Sequence, residues 1–257
     1  MASGIPELID AFEQTLRSTA AVAATLSEPE WALPTECPGW SVQDVVSHLI
    51  GVERVLRGEA EPEHRLPEGL SYLRHDTARR LELAVDARRS LPPGDVLAEL
   101  RSITDLRVTD LRALAAGGGD PEVDTRYWGR RRLSRMLRTR VFDAWAHEQD
   151  IRRATRRPGG LDSPAAEVTR GFLARVLPHV VEQAGLPGGT AVRFDIVGER
   201  EIHETVGEGQ PALAVGTDWE TFVRLTCGRV EPGLAKVDAT GDPDHVYRVL
   251  AAFAVTP

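Results

Sequence analysis

Length, composition and charge exclude several classes of protein. The 257 residues exceed the usual size of one domain, so two domains are expected. No apolar run reaches the roughly 18 residues that a membrane helix needs, which predicts a soluble protein without a membrane partner. A formal net charge of −8 argues against a nucleic-acid partner, because the phosphate backbone is also negative.

Cysteine content and the N-terminal residues set the expected cellular context. Cys37 and Cys227 lie far apart and lack CxxC spacing, which excludes a disulfide framework and a cysteine-rich zinc site. The N-terminal stretch has no basic region followed by an apolar one, so no export signal is expected. The predicted location is the cytoplasm.

Helical periodicity dominates the first two-thirds of the chain. The segment LPTECPGW separates the first helical pattern from the second, which Ser41 and Asp44 introduce as an acidic capping box. A loop, GGGDPEVDTRYWG, precedes the last pattern. The predicted helices cover residues 6–26, 42–57, 70–90, 95–116 and 132–155. Helices of this number and length predict an up-and-down antiparallel bundle.

The pattern changes after Arg156, where the Pro- and Gly-rich segment RRPGGLDSP indicates a domain boundary. We therefore predict an N-terminal domain of residues 1–156 and a C-terminal domain of residues 157–257. In AVRFDIVG, alternating apolar residues predict a half-buried strand. Further strands are predicted in EIHETVGEG, PALAVGT and AKVDATG, and helices over 164–184, 218–228 and 242–253. This smaller domain is therefore expected to be α+β.

Three residues of the helical part form a candidate metal site. Asp143 and His147 are four residues apart, so they lie on one face of the last bundle helix and can bind the same ion. His48 lies among apolar residues of the second helix, where a histidine is most often a core residue. For Asp143 and His147 the alternative is an ordinary helical ion pair. A buried carboxylate is costly unless it is paired or binds a metal, which favours the ligand interpretation.

The motifs CPGWSVQDVVSHLIGVER and VFDAWAHEQDIRRA, in this order, resemble the signature pair of the mycothiol-dependent maleylpyruvate isomerase family, a branch of the DinB-like metalloenzymes. The C-terminal segments WETFVRLTCGR and VDATGDPDHVYRVLAAFAVTP are also similar to that family. The resemblance implies a DinB-like bundle that binds Zn²⁺, or another divalent metal, through His48, Asp143 and His147. Family members often carry Glu where this chain has Asp143. Asp150 matches a recurrent acidic position and is expected to orient His147 or a nearby arginine.

The resemblance also implies mycothiol as the thiol cofactor or cosubstrate. Zinc deprotonates a coordinated thiol, and the thiolate is the nucleophile. The expected activity is addition of this thiolate to an electrophile, as an S-transferase or a maleylpyruvate-type cis–trans isomerase. The family's C-terminal domain supplies an arginine to the active site, for which Arg229 is the first candidate and Arg224 the second. Their alternative role is a surface ion pair with Glu220 or Glu231.

Other interpretations stay open. The chain is alternatively a non-catalytic metal-binding or stress-response module of the DinB-like superfamily, or a metal hydrolase that needs no thiol. Cys37 is expected to belong to a turn and not to be the nucleophile, and Trp40 to be a packing anchor. The expected partners are a small-molecule thiol and an electrophilic substrate, with the chain a monomer or a small homo-oligomer. The arginine-rich composition, with Lys236 as its single lysine, indicates a GC-rich coding bias, and the family resemblance implies an actinobacterial source.

Overall fold

A computed structural model describes residues 4–254 of the chain. The chain divides into two compact units, Met1–Gly159 and Gly160–Pro257. The division falls within the Pro- and Gly-rich segment in which the sequence predicts a boundary after Arg156. None of the described helices is both long and apolar enough to cross a lipid bilayer.

The first unit is a helical bundle with one short hairpin. In chain order its elements are α1 (Ile5–Ala23), α2 (Glu28–Trp31), α3 (Val42–Leu56), α4 (Asp76–Asp86), α5 (Pro93–Ala116), β1 (Glu122–Asp124), β2 (Arg130–Arg132) and α6 (Leu133–Thr155). Helix α1 packs on α5 and α6, and α3 packs on α4, α5 and α6. The four long helices α1, α3, α5 and α6 therefore enclose the core, as the predicted bundle requires.

Local sequence explains where α3 begins and how closely it packs. Ser41 and Asp44 form the predicted capping box: the Ser41 hydroxyl accepts a hydrogen bond from the Asp44 amide, and the Asp44 carboxylate accepts one from the Ser41 amide. Further along α3, a Cβ placed on Gly51 would lie 2.3 Å from the Cβ of Ala84. Glycine is thus required for α3 and α4 to pack this closely.

Two predictions for the first unit are corrected. The helix predicted over residues 70–90 is shorter, because His75 caps α4 and its ring nitrogen accepts from the Ala78 amide. The segment predicted as a loop before α6 contains the antiparallel strands β1 and β2. Glu122 pairs with Arg132 at one end of this hairpin, and Asp124 pairs with Arg130 at the other. These strands have three residues each and are largely exposed, so they lack the alternating apolar pattern by which strands are recognised.

The second unit is α+β, as predicted. Its elements are α7 (Pro164–Ala174), α8 (Leu177–Gln183), β3 (Ala191–Val197), β4 (Ile202–Val206), β5 (Pro211–Asp218), α9 (Trp219–Thr226), a 3₁₀ turn (Pro232–Leu234), β6 (Asp238–Thr240) and α10 (Pro243–Ala251). The sheet order is β4-β3-β5-β6, with β3 parallel to β5 and both outer strands antiparallel to their neighbours.

The buried face of this sheet carries the alternating residues Val192, Phe194 and Ile196. The ring of Phe253 lies edge-on to Phe194 and Phe222, at centroid distances of 5.9 and 5.6 Å. The prediction of a single helix over 164–184 is wrong, because two helices, α7 and α8, cover this range. Pro178 has no amide hydrogen, and its ring would clash with the carbonyl four residues earlier in a continuous helix.

Candidate metal centre

Helices α3 and α6 bring the three predicted metal ligands together. The ring of His48 lies near that of His147, with a centroid distance of 4.7 Å. Glu53, five residues after His48 on α3, contacts Arg140, which lies seven residues before His147 on α6. The two helices are therefore antiparallel, and His48 faces the turn of α6 that carries Asp143 and His147. One potential ligand atom from each of the three residues lies within 4.8 Å of the other two.

The geometry of this group fits a divalent metal ion. His48 Nε2 lies 3.5 Å from Asp143 Oδ2, and His147 Nε2 lies 3.8 Å from Asp143 Oδ1. Ligand atoms held about 2.0–2.1 Å from a tetrahedral zinc ion are roughly 3.3–3.4 Å apart, so these separations are of the right size. Both ring nitrogens of His48 are buried and make no hydrogen bond. A metal ion bound to Nε2 would give this buried imidazole a partner.

Protonation also favours metal binding. Burial lowers the pKa of His48, and the attraction of Asp143 offsets this only in part. Burial opposes ionisation of Asp143, but Arg140 and then His48 hold the pKa of its carboxyl group well below the usual value. A neutral imidazole and an ionised carboxylate are the forms that bind metals. The Asp143 side chain is 27% exposed, so the group is open to solvent on one side.

The alternative of an ordinary ion pair between Asp143 and His147 stays open, because Nε2 of His147 lies 3.8 Å from Oδ1 of Asp143, which is within ion-pair distance. At 3.8 Å the two side chains are beyond hydrogen-bond distance. Asp143 instead accepts a hydrogen bond at Oδ2 from Nη1 of Arg140, at 2.8 Å. The hydrogen-bond partner of Asp143 on its own helix is therefore Arg140, one turn earlier.

Arg140 belongs to a buried network of charges that the sequence analysis missed. Its Nε donates to Oε1 of Glu53 at 2.6 Å, and Nε of Arg107 donates to Oε2 of the same carboxylate at 2.8 Å. Arg140, Glu53 and Arg107 are each at most 4% exposed. The spacing of three residues between Arg140 and Asp143 was a usable signal for their contact. The contacts with Glu53 depend on packing between distant helices.

The far side of the His147 ring is held by Asp150. Oδ2 of Asp150 lies 3.1 Å from His147 Nδ1, and its Oδ1 accepts a hydrogen bond from Arg153 at 2.6 Å. Asp150 thus contacts both kinds of residue that the sequence analysis named for it. A carboxylate that accepts from Nδ1 fixes the tautomer and leaves Nε2 free to bind a metal.

Cys37 lies beside this pair. Its Sγ is 3.0 Å from Asp150 Oδ2 and 3.9 Å from His147 Nδ1, and the side chain is buried. Cys37, His147 and Asp150 form a second group whose potential ligand atoms lie within 4.8 Å of one another. The thiol is a hydrogen-bond donor to Asp150 in this arrangement, so the turn that contains Cys37 is connected to His147 through one carboxylate.

Trp40 forms an aromatic wall beside the two histidines. Its ring centroid lies 5.0 Å from that of His48 and 5.9 Å from that of His147. The indole N–H donates to the fully buried carboxylate of Glu82, which also accepts from the Tyr72 hydroxyl. Gly39, with φ of +78°, lies against the Tyr72 ring, where a Cβ would come within 2.6 Å. Trp40 therefore packs against both histidines of the candidate metal site.

The two predicted arginines belong to the second unit. Arg224 lies on α9, and Arg229 follows that helix, with Nη1 donating to the carbonyl of Cys227 at 2.7 Å. Both are partly exposed. Their role in an active site stays a prediction.

The fold and site define a class of protein: a helical bundle with a His-Asp-His group, followed by an α+β unit. Residues 12–152 match the family of the mycothiol maleylpyruvate isomerase N-terminal domain. Because the match spans more than half of the chain, the protein belongs to this family.

Comparisons that cover most of the chain give two relatives and two solved structures with a shared fold. Two Mycobacterium tuberculosis proteins, "Uncharacterized protein Rv0036c" from strain H37Rv and "Uncharacterized protein MT0041" from strain CDC 1551, are each 26% identical over 245 residues, covering 92% of this chain and 91% of the relative. Crystal structures of the mycothiol-dependent maleylpyruvate isomerase and of a mutant of it each superpose with a TM-score of 0.63 over 93% of both chains, at 15% and 14% identity. At this identity the structural similarity shows a shared fold.

Proposed function

We propose that this protein is a metal-dependent enzyme that uses mycothiol and adds its thiolate to an electrophile. The observation that carries the proposal is the arrangement of His48, Asp143 and His147, in which potential ligand atoms converge and both ring nitrogens of His48 are buried without a hydrogen-bond partner. Membership of the mycothiol maleylpyruvate isomerase N-terminal domain family supports mycothiol as the thiol.

Each side chain of the site has a distinct role in this proposal. His48, Asp143 and His147 hold a divalent ion, with Zn²⁺ as the first candidate. Asp150 keeps Nε2 of His147 directed to the ion, and Trp40 shields one side of the two rings from water. Three protein ligands leave a coordination position open. The ion supplies one kind of chemistry: it stabilises the thiolate form of a bound thiol near neutral pH.

The proposed reaction has two forms, and each uses only the thiol and the electrophile. In the isomerase form, the thiolate sulfur bonds to one carbon of a cis double bond, and the π electron pair moves onto the conjugated carbonyl group. Rotation about the new single bond follows, and re-formation of the double bond expels the thiolate. In the transferase form, the proton that the thiol gave up to solvent is returned to the carbon that holds the electron pair, or a leaving group departs with its bonding electrons, and the sulfur stays on the product. Arg229, with Arg224 as the alternative, is the proposed contact for an anionic substrate.

The test is thiol consumption by metal-loaded protein supplied with mycothiol and a reactive electrophile such as monobromobimane. We expect turnover that needs both thiol and metal and that is lost in His147→Ala. Glu122→Gln, an exposed residue on β1, is the matched control and retains the activity. No rate above background with metal bound would contradict the proposal and favour a non-catalytic metal-binding module. Turnover without any thiol would favour a hydrolase.

A further inference from the structure

The electrostatic state of Asp143 bears on how tightly the site binds an ion. Asp143 Oδ2, the oxygen that faces His48 Nε2 at 3.5 Å, is also the oxygen that accepts from Arg140 at 2.8 Å. A metal ion placed between the histidines and Asp143 would therefore share this carboxylate with a guanidinium. Two cations on one carboxylate repel each other. The Arg140 side chain is buried, so water screens this repulsion only from the side on which Asp143 is open to solvent.

The charged groups that contact Arg140 do not relieve this competition. Arg140 and Arg107 carry two positive charges, and Glu53 and Asp143 carry two negative charges, so the four groups sum to zero before an ion binds. Glu53 is fully buried and uses one oxygen for each arginine. These four groups by themselves thus have no spare negative charge to offset a divalent ion. Asp150, the carboxylate on the other side of His147, is shared with Arg153. The two histidines bind as neutral rings and contribute none either.

We propose that the positive charge of Arg140 offsets the negative charge of the ionised Asp143 carboxylate. Tight metal binding thereby depends on an anionic ligand in the open position. The thiol that binds there does so as its thiolate and releases its proton to solvent, which restores part of the missing negative charge. Metal and thiolate consequently bind with positive cooperativity, and Arg140 sets its size. By linkage, the thiol strengthens metal binding by the same factor as the metal strengthens thiol binding.

One further feature of Arg140 agrees with this role. Nη2 of Arg140 is buried and has no hydrogen-bond acceptor, although Nε and Nη1 of the same group are both bonded to carboxylates. A buried donor without an acceptor is costly. Arg140 is thus held beside Asp143 although one of its buried nitrogens has no acceptor.

The inference rests on the proposed function, and its test reads metal affinity instead of activity. Zinc affinity is measured by competition with a chromophoric chelator, with and without excess 2-mercaptoethanol, for the wild type, Arg140→Gln, Arg140→Lys and Arg135→Gln. Arg135 is an exposed residue of α6 and provides the matched control. Thermal unfolding of each variant shows whether it is folded, and Arg140→Lys keeps the charge if Arg140→Gln fails to fold.

We expect Arg140→Gln to bind zinc at least about tenfold more tightly than the wild type without thiol, the size of effect typical of groups around a metal site. Thiol should strengthen zinc binding by the wild type and by Arg135→Gln much more than by Arg140→Gln. Arg140→Lys should resemble the wild type. Equal affinities for all four proteins, or weaker binding by folded Arg140→Gln, would overturn this inference and leave the metal site in place. Absence of zinc binding by all four would instead overturn the proposed function.

Discussion

Asp150 accepts a hydrogen bond at Oδ2 from Nδ1 of His147 at 3.1 Å, which leaves Nε2 of the same ring directed toward Asp143. Removing the charge of this carboxylate should therefore weaken metal binding without removing a ligand. For Asp150→Asn we expect zinc affinity to fall about 10–100-fold. The measurement is competition with a chromophoric chelator, and Asp105→Asn, an exposed residue of α5, is the control. An unchanged affinity in Asp150→Asn would show that Asp150 does not orient His147.

Cys37 should contribute through its hydrogen bond and not through nucleophilic chemistry. A serine in its place would keep a donor to Asp150, whereas a valine would remove it, so Cys37→Val should lower zinc affinity severalfold while Cys37→Ser stays close to the wild type. The comparison uses the same chelator competition. If Cys37→Ser abolishes thiol consumption while zinc affinity is retained, a direct chemical role for the sulfur would replace this account.

Trp40 offers a spectroscopic readout of the site, because its ring lies 5.0 and 5.9 Å from the two histidine rings. Quenching of tryptophan fluorescence by a paramagnetic ion falls steeply with distance. Titration with Co²⁺ should quench the wild type and Trp128→Phe, whereas Trp40→Phe should lose most of the ion-dependent quenching. Equal quenching in Trp40→Phe and the wild type would place the bound ion elsewhere.

Glu53 should be a large contributor to stability, since it is the common partner of Arg107 and Arg140 in the core. Gln in its place would leave the two buried guanidinium groups without their carboxylate, which costs about 3–5 kcal/mol in the free energy of unfolding. The exposed pair of Glu122 and Arg130 gives the comparison, since Glu122→Gln should cost only about 0–1 kcal/mol. Urea unfolding followed by circular dichroism measures both. Similar costs would mean that the buried network is not strongly coupled.

Sequence alone accounts for the parts of the site that depend on local spacing. The i and i+4 positions of Asp143 and His147 predicted their common helical face, and Ser41 with Asp44 predicted the start of the helix that carries His48. These relationships are set within one helix and its cap.

What sequence did not reveal depends on packing between distant segments. Glu82 holds the Trp40 indole across 42 residues, and Glu53 meets Arg140 across 87 residues. No local periodicity encodes such contacts. The break between α7 and α8 was available from Pro178, but the apolar pattern continued through it and predicted one helix.

Metal content is the most direct measurement of the central claim, that His48, Asp143 and His147 hold one divalent ion. Protein purified without chelator is analysed for metals, with His48→Ala and His147→Ala beside it and circular dichroism to verify that each is folded. The account predicts about one ion per chain in the wild type, because one set of three ligands binds one ion, and little or none in folded His48→Ala and His147→Ala. One ion per chain retained in both variants would contradict it.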